Sequence, residues 1–182
     1  MSVVLTEIPD FGPDGDLPRG RFCVSMDDVN ATLVKGPTFL GSGTRGEVWD
    51  DFEKLVALIK RKGVRIPAAF LGGSFVTSKV NPSDVDASIL IDASRITNPS
   101  TYDAVVKIAA NSKNVGLQVD AFVIPWHPDG TQRGGDATYC GLRGSWDDFW
   151  QRKVAKPDRD PPQRVHAMPV RGYLEVLIDG YV

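Results

Sequence analysis

Two aspartates flank a single valine at Asp84-Val85-Asp86, ten residues after the serine of Gly72-Gly73-Ser74, and a further aspartate, Asp120, interrupts the apolar run at 115–124. Read as a strand, residues 84–91 put Asp84, Asp86 and Ser88 on one face and Val85, Ala87, Ile89 and Ile91 on the other. The same pleat places Gln118, Asp120 and Phe122 opposite Leu117, Val119, Ala121 and Val123. If the two strands are neighbours, three carboxylates converge on one face. A dry cluster of that kind costs too much to bury. One or two divalent cations remove the cost, and Mg²⁺ (or Mn²⁺) suits hard oxygen ligands and leaves positions for water and substrate phosphates. Upstream, Gly72 and Gly73 let backbone N–H groups approach a phosphate chain, and Ser74 offers a hydroxyl. A helix starting there adds a favourable dipole. Lys79 is a further candidate for neutralising phosphate. The expected ligand is a metal-bound nucleoside triphosphate.

These residues resemble a known group of enzymes. Gly72-Gly73-Ser74, Asp84-Val85-Asp86 and Asp120 on a later strand look like the polymerase-β-type nucleotidyltransferase superfamily. The stretch LGGSFVTSKVNPSDVDASILID is similar to a small, uncharacterised bacterial and phage branch of it, as is the LPRG stretch at 17–20. The likeness covers residues 45–124 well and the flanks loosely. It implies that Asp84, Asp86 and Asp120 are both catalytic and metal-ligating, with Asp120 also orienting or deprotonating the attacking hydroxyl. Gly73 and Ser74 would hold the β- and γ-phosphates. The implied reaction transfers a nucleoside monophosphate from an NTP such as ATP to an acceptor hydroxyl on RNA, tRNA or protein. Many relatives carry an arginine shortly after the serine, where this chain has Val76, Thr77 and Ser78. Small members of the superfamily are often toxins of toxin–antitoxin or phage-defence systems. The alternatives are a nucleotide sensor without turnover and an antitoxin-like interaction partner.

Elements must position these groups. The fold class expected is α/β (α+β): a nucleotidyltransferase fold with a mixed sheet, helices on one face and an acidic cleft on the other. Residues 1–44 read as an N-terminal arm and short helix, and 45–182 as the nucleotidyltransferase-like domain, together one globular unit. Within the first part, 21–24 is a short strand and Ser25 with Asp28 a capping box for a helix to about Val34. Thr44 and Glu47 form a second capping box before a helix over 45–62, where Val48, Phe52, Leu55, Val56 and Ile59 recur at helical spacing. Strands are expected at 66–72, 84–92, 115–124 and 171–178, with a helix capped by Asn98 or Ser100 between the second and third. Residues 125–144 read as a Gly-rich loop holding a strand near 137–140, and 145–153 as a helix. Residues 155–163 form a Pro-rich connector. Trp126 and His127 belong to a structured turn, while Trp146, Phe149 and Trp150 read as core. Glu175 faces water. The basic residues from Arg143 to Arg171 alternate with aspartates and read as a mixed surface.

Composition narrows the classes. The chain has 182 residues, 42% of them hydrophobic and 24% charged, which suits one folded domain. Its net charge of −2 gives no global attraction to nucleic acid. No apolar run reaches the ~20 residues needed to cross a bilayer, and residues 1–16 lack a secretory pattern. No membrane partner and a cytoplasmic location are therefore expected. Cys23 and Cys140 are expected to be free thiols, and with only two histidines a structural zinc site is not expected.

Overall fold

A computed structural model describes residues 5–153 and 167–181. The helix predicted over 45–62 is α2, Arg45–Lys60, following a single turn α1, Met26–Val29. Val48, Phe52, Leu55 and Ile59 are fully buried along one side of α2. The Ser25–Asp28 capping box forms as expected, and a π-helical stretch carries the chain on to Val34. The second predicted box does not form. The Thr44 hydroxyl donates to the Pro82 carbonyl instead (2.7 Å), and Ser42 Oγ accepts from the Arg45 N–H (3.1 Å). Asn98 caps α3, Pro99–Ala110, by accepting from the Ser100 N–H. In α4, Ala137–Gln151, the expected strand near 137–140 is helix instead. Asp136 accepts from the Tyr139 N–H and opens it, so Cys140 and the glycines after it lie within the helix.

The strands are β1 (Gly20–Ser25), β2 (Ala68–Gly72), β3 (Val85–Asp92), β4 (Val119–Trp126) and β5 (Gly172–Leu177). They form one mixed sheet in the order β1-β5-β2-β3-β4. The pairs β1–β5 and β3–β4 are parallel, whereas β2 is antiparallel to both neighbours. The class is therefore mixed α/β, as expected. Trp49, Phe52, Leu55 and Ile59 of α2, with Val105 and Ala109 of α3, join the main core on the face that carries Val85, Ala87, Ile89 and Ile91. Helices do not keep to that face. Phe70, Leu90, Ile124 and Tyr173 make an apolar patch on the other, and Trp150 of α4 buries itself against it. The N-terminal arm runs along the molecule: the Thr6 N–H donates to the Cys23 carbonyl, and Leu17 is 1% exposed. Cys23 and Cys140 are free thiols. The 155–163 connector lies outside the described residues.

Candidate functional site

The Gly-Gly turn sits where β2 ends and β3 and β4 begin. Gly72 pairs with Asp86 across β2–β3, and Asp86 pairs with Asp120 across β3–β4, so the three lie in one row of the sheet. Sequence periodicity put Asp86 and Asp120 each on the polar face of its own strand, the β3–β4 pairing joins those faces, and both residues line a cleft of about 520 Å³ there together with Gly73. Gly73 opens a 3₁₀ turn, Gly73–Val76, with φ +66°. A β-carbon at this position would fall 1.6 Å from Asp86 Oδ2. The backbone of the turn therefore approaches the carboxylate as no other residue type would allow. Gly72 has a different task. A β-carbon there would meet the Trp150 ring at 2.3 Å, so its bare face seats the indole.

The turn is held from behind by Arg45. Its guanidinium is fully buried and lies 3.6 Å from the centre of the Phe39 ring. Nη1 donates to the carbonyls of Leu33 and Phe75, and Nη2 to those of Thr77 and Lys79 (2.7–3.0 Å). Burial pulls the group down to about 10, which leaves it charged at neutral pH. The same contacts fix the backbone of the segment after Ser74, whose carbonyl accepts from Thr77 Oγ1 (2.8 Å). Ser74 is half-buried. Lys79 gives its carbonyl to Arg45 and is itself exposed on the surface.

Asp84, just before β3, lies outside that row and, like Ser74, is not among the residues that line the cleft. It is tied to Asp120 through a lysine to which the sequence assigned no role. Lys113 Nζ lies 2.9 Å from Asp84 Oδ2 and 3.1 Å from Asp120 Oδ2. Among the described residues, no group of three carboxylate, thiol or imidazole side chains is arranged to hold a metal ion. An ammonium bridges two of the three aspartates instead. Those bonds raise the Lys113 pKa. Burial first, then the charges of Asp84 and Asp120, push Asp86 above the usual carboxylate range, with Lys113 and Arg171 acting against the rise. A half-buried acid beside two others is thus held in a state that favours a proton or a cation.

Two cations and an aromatic wall complete the cleft. Lys153 and Arg171 line it, and Lys153 also pairs with Asp16 and Asp14 of the N-terminal arm. Phe122, Phe149 and Trp150 line the remaining side. Trp150 is core, as expected, but Phe149 is 43% exposed and corrects that expectation for its own position. No signal in the sequence separates adjacent aromatics at the end of a helix. Lys113 carries none either, being one lysine among several near a helix end. Trp126 and His127 lie at the opposite end of β4 from Asp120, away from the row of acids. Trp126 is buried, packing on Tyr181. Glu175 does not face water: it pairs with Arg21 (3.3 Å) and accepts from the Tyr181 hydroxyl.

The chain is a mixed α/β protein with a cleft at one end of its sheet, lined by carboxylates, cations and aromatic rings. It belongs to the family described as Family of unknown function (DUF6932), which residues 9–176 match. No curated protein and no solved structure matches the chain. Among the described residues, no helix is long and apolar enough to cross a membrane.

Proposed function

We propose that the protein is a metal-dependent nucleotidyltransferase that takes a nucleoside triphosphate into this cleft. One observation carries the reading: Gly72, Asp86 and Asp120 occupy a single row of the sheet, with the Gly73 backbone packed against the Asp86 carboxylate. The arrangement agrees with the strand–turn–strand order implied by the resemblance, and supports the nucleotidyltransferase fold. The three side chains are not arranged as a metal site while Lys113 bridges Asp84 and Asp120. The hard oxygens of Asp84, Asp86 and Asp120 suit Mg²⁺ or Mn²⁺ once that ammonium moves aside, and a cation would then relieve their mutual repulsion. Asp84, Asp86 and Asp120 would hold the ion, and it would supply positive charge to stabilise the transferring phosphate.

The protein's own groups bind and orient. The Gly73 N–H and Ser74 hydroxyl hold the outer phosphates, and Lys153 and Arg171 add positive charge beside them. Lys113 leaves its bridging position and releases Asp84 and Asp120. Asp120 orients the acceptor hydroxyl on RNA or protein and takes its proton or passes it to water. The hydroxyl oxygen bonds to the α-phosphorus, the bond from that phosphorus to the bridging oxygen breaks, and pyrophosphate leaves.

A second reading, nucleotide binding without turnover, is favoured by the ammonium already seated between Asp84 and Asp120. Thermal unfolding with each NTP, with and without Mg²⁺, tests the shared part. A ligand at a hundred times its Kd stabilises by about 2.7 kcal/mol, or roughly 5–11 °C for a domain of this size. A Mg²⁺-dependent shift that disappears in Asp86→Ala is expected. Absence of any shift at saturating NTP counts against both readings, and pyrophosphate release on adding an acceptor separates them.

A further inference from the structure

We infer that the exposed rings of Phe149 and Phe122 form the seat for the base of the donor nucleotide. The inference rests on the nucleotide reading above and adds to it a residue-level base site. It begins from a contrast between neighbours on α4. Trp150 is 2% exposed, seated on Gly72, with its indole N–H donating to Ser88 Oγ (3.1 Å). Phe149, one residue earlier, packs edge-on against Trp150 and is itself 43% exposed. Phe122 of β4 is 42% exposed and lies two residues beyond Asp120, on the same strand face. The two rings meet edge-on with centres 6.2 Å apart, and Trp146 backs both, at 5.4 Å from Phe122 and 5.5 Å from Phe149.

Single exposed aromatics are ordinary. Here two adjoin, and both line the cleft that holds Asp86, Asp120 and Gly73. The wall they form is uncharged, while Lys153 and Arg171 line the same cleft. A ligand with a flat, neutral, π-bearing end and a polyanionic end matches that division. A nucleoside triphosphate has both. The rings are rigid and already packed on Trp146, so little side-chain freedom is lost when a base stacks on them.

The test compares two ligands that share the phosphate end. Equilibrium binding of each of the four Mg·NTPs and of Mg·tripolyphosphate is measured on the full chain, on Phe149→Ala, on Phe149→Leu and on Asp86→Asn. Stacking a base on an aromatic ring corresponds to about 5- to 150-fold in affinity. At least one NTP is expected to outbind tripolyphosphate by that factor in the wild type and to quench tryptophan fluorescence, which tripolyphosphate does not. In Phe149→Ala that preference falls by about fivefold or more, with tripolyphosphate binding unchanged. Phe149→Leu, which keeps an apolar side chain, falls between. If NTP and tripolyphosphate bind alike in the wild type, and both need Mg²⁺ and Asp86, the base site is wrong and the nucleotide reading survives. A preference that persists in Phe149→Ala also overturns the base site. If neither ligand binds, both inferences fall.

Discussion

Asp86 is a half-buried acid flanked by two others, and its pKa is raised by burial and by Asp84 and Asp120. Below its ordinary value of 3.8 the group is neutral in both the folded and the unfolded chain, and it costs nothing. As pH rises into the interval up to its raised value, the unfolded chain gives up the proton first, and stability is lost. Above the raised value the whole cost is present. Asp86→Asn is therefore expected to raise the neutral-pH Tm by about 2–4 °C, for about 1 kcal/mol. The gain should fade as pH falls towards 4, and Mg²⁺-dependent NTP binding should be lost. Thermal unfolding at several pH values checks the sign, and a gain that grows on acidification would contradict it. Lys113 gives the complementary experiment. Its two half-exposed pairs are worth about 0.2–1 kcal/mol each, so Lys113→Ala is expected to lower Tm by a few degrees without divalent cations. Saturating Mg²⁺ should narrow the gap, because the ion replaces the lost charge. A gap indifferent to Mg²⁺ would mean that the metal and the ammonium do not compete.

At the scale of elements, the turn after β2 depends on a glycine in front and an arginine behind. Gly73→Ala adds a side chain at φ +66° that runs into the Asp86 carboxylate. Strain of about 1–2 kcal/mol is expected, with Tm down by about 2–8 °C and nucleotide binding lost as Asp86 is pushed aside. Arg45→Met leaves four carbonyls without the donor they now share. Each buried acceptor left unsatisfied costs about 1–3 kcal/mol, and a total loss of at least about 3 kcal/mol lowers Tm by about 6–12 °C. Arg45→Lys should not restore it, because a single ammonium cannot span the two carbonyl pairs that the planar guanidinium reaches. A lysine variant with wild-type Tm would show that charge rather than shape holds the turn. Most elements were legible because their periodicities were plain: 3.6 in α2 and alternation in β3 and β4. Residues 137–144 were not, because three of them are Gly or Cys and their helix draws its start from the Asp136 cap rather than from an apolar stripe.

Across the whole molecule, the strand latest in the chain is not at an edge. β5 lies between β1 and β2, so the N-terminal arm, the middle of the chain and residues 172–177 close on one another. Ending the chain at residue 170 would remove an interior strand whose backbone groups pair on both sides. Loss of cooperative thermal unfolding is expected, measured by circular dichroism. A truncated chain that melts cooperatively near the wild-type Tm would show that β1 can pair directly with β2. The same closure brings Arg171, just ahead of β5, and Lys153, just after α4, to the cleft opened by Gly73 and Asp86.

The amino-acid sequence by itself determined the alternation that sets Asp86 and Asp120 each on the polar face of its own strand, the glycine demanded by the turn, and the apolar stripe of α2. These are local matters of pleat, backbone dihedral and amphipathic period. Only the tertiary structure decided that Asp86 and Asp120 share a row, that Lys113 stands between Asp84 and Asp120, that Arg45 is buried behind the turn, and that Phe149 lies open while Trp150 does not. Each of those depends on which strands pair and how a helix is rotated on the sheet. Such outcomes come from contacts between residues far apart in the chain, which no local spacing encodes.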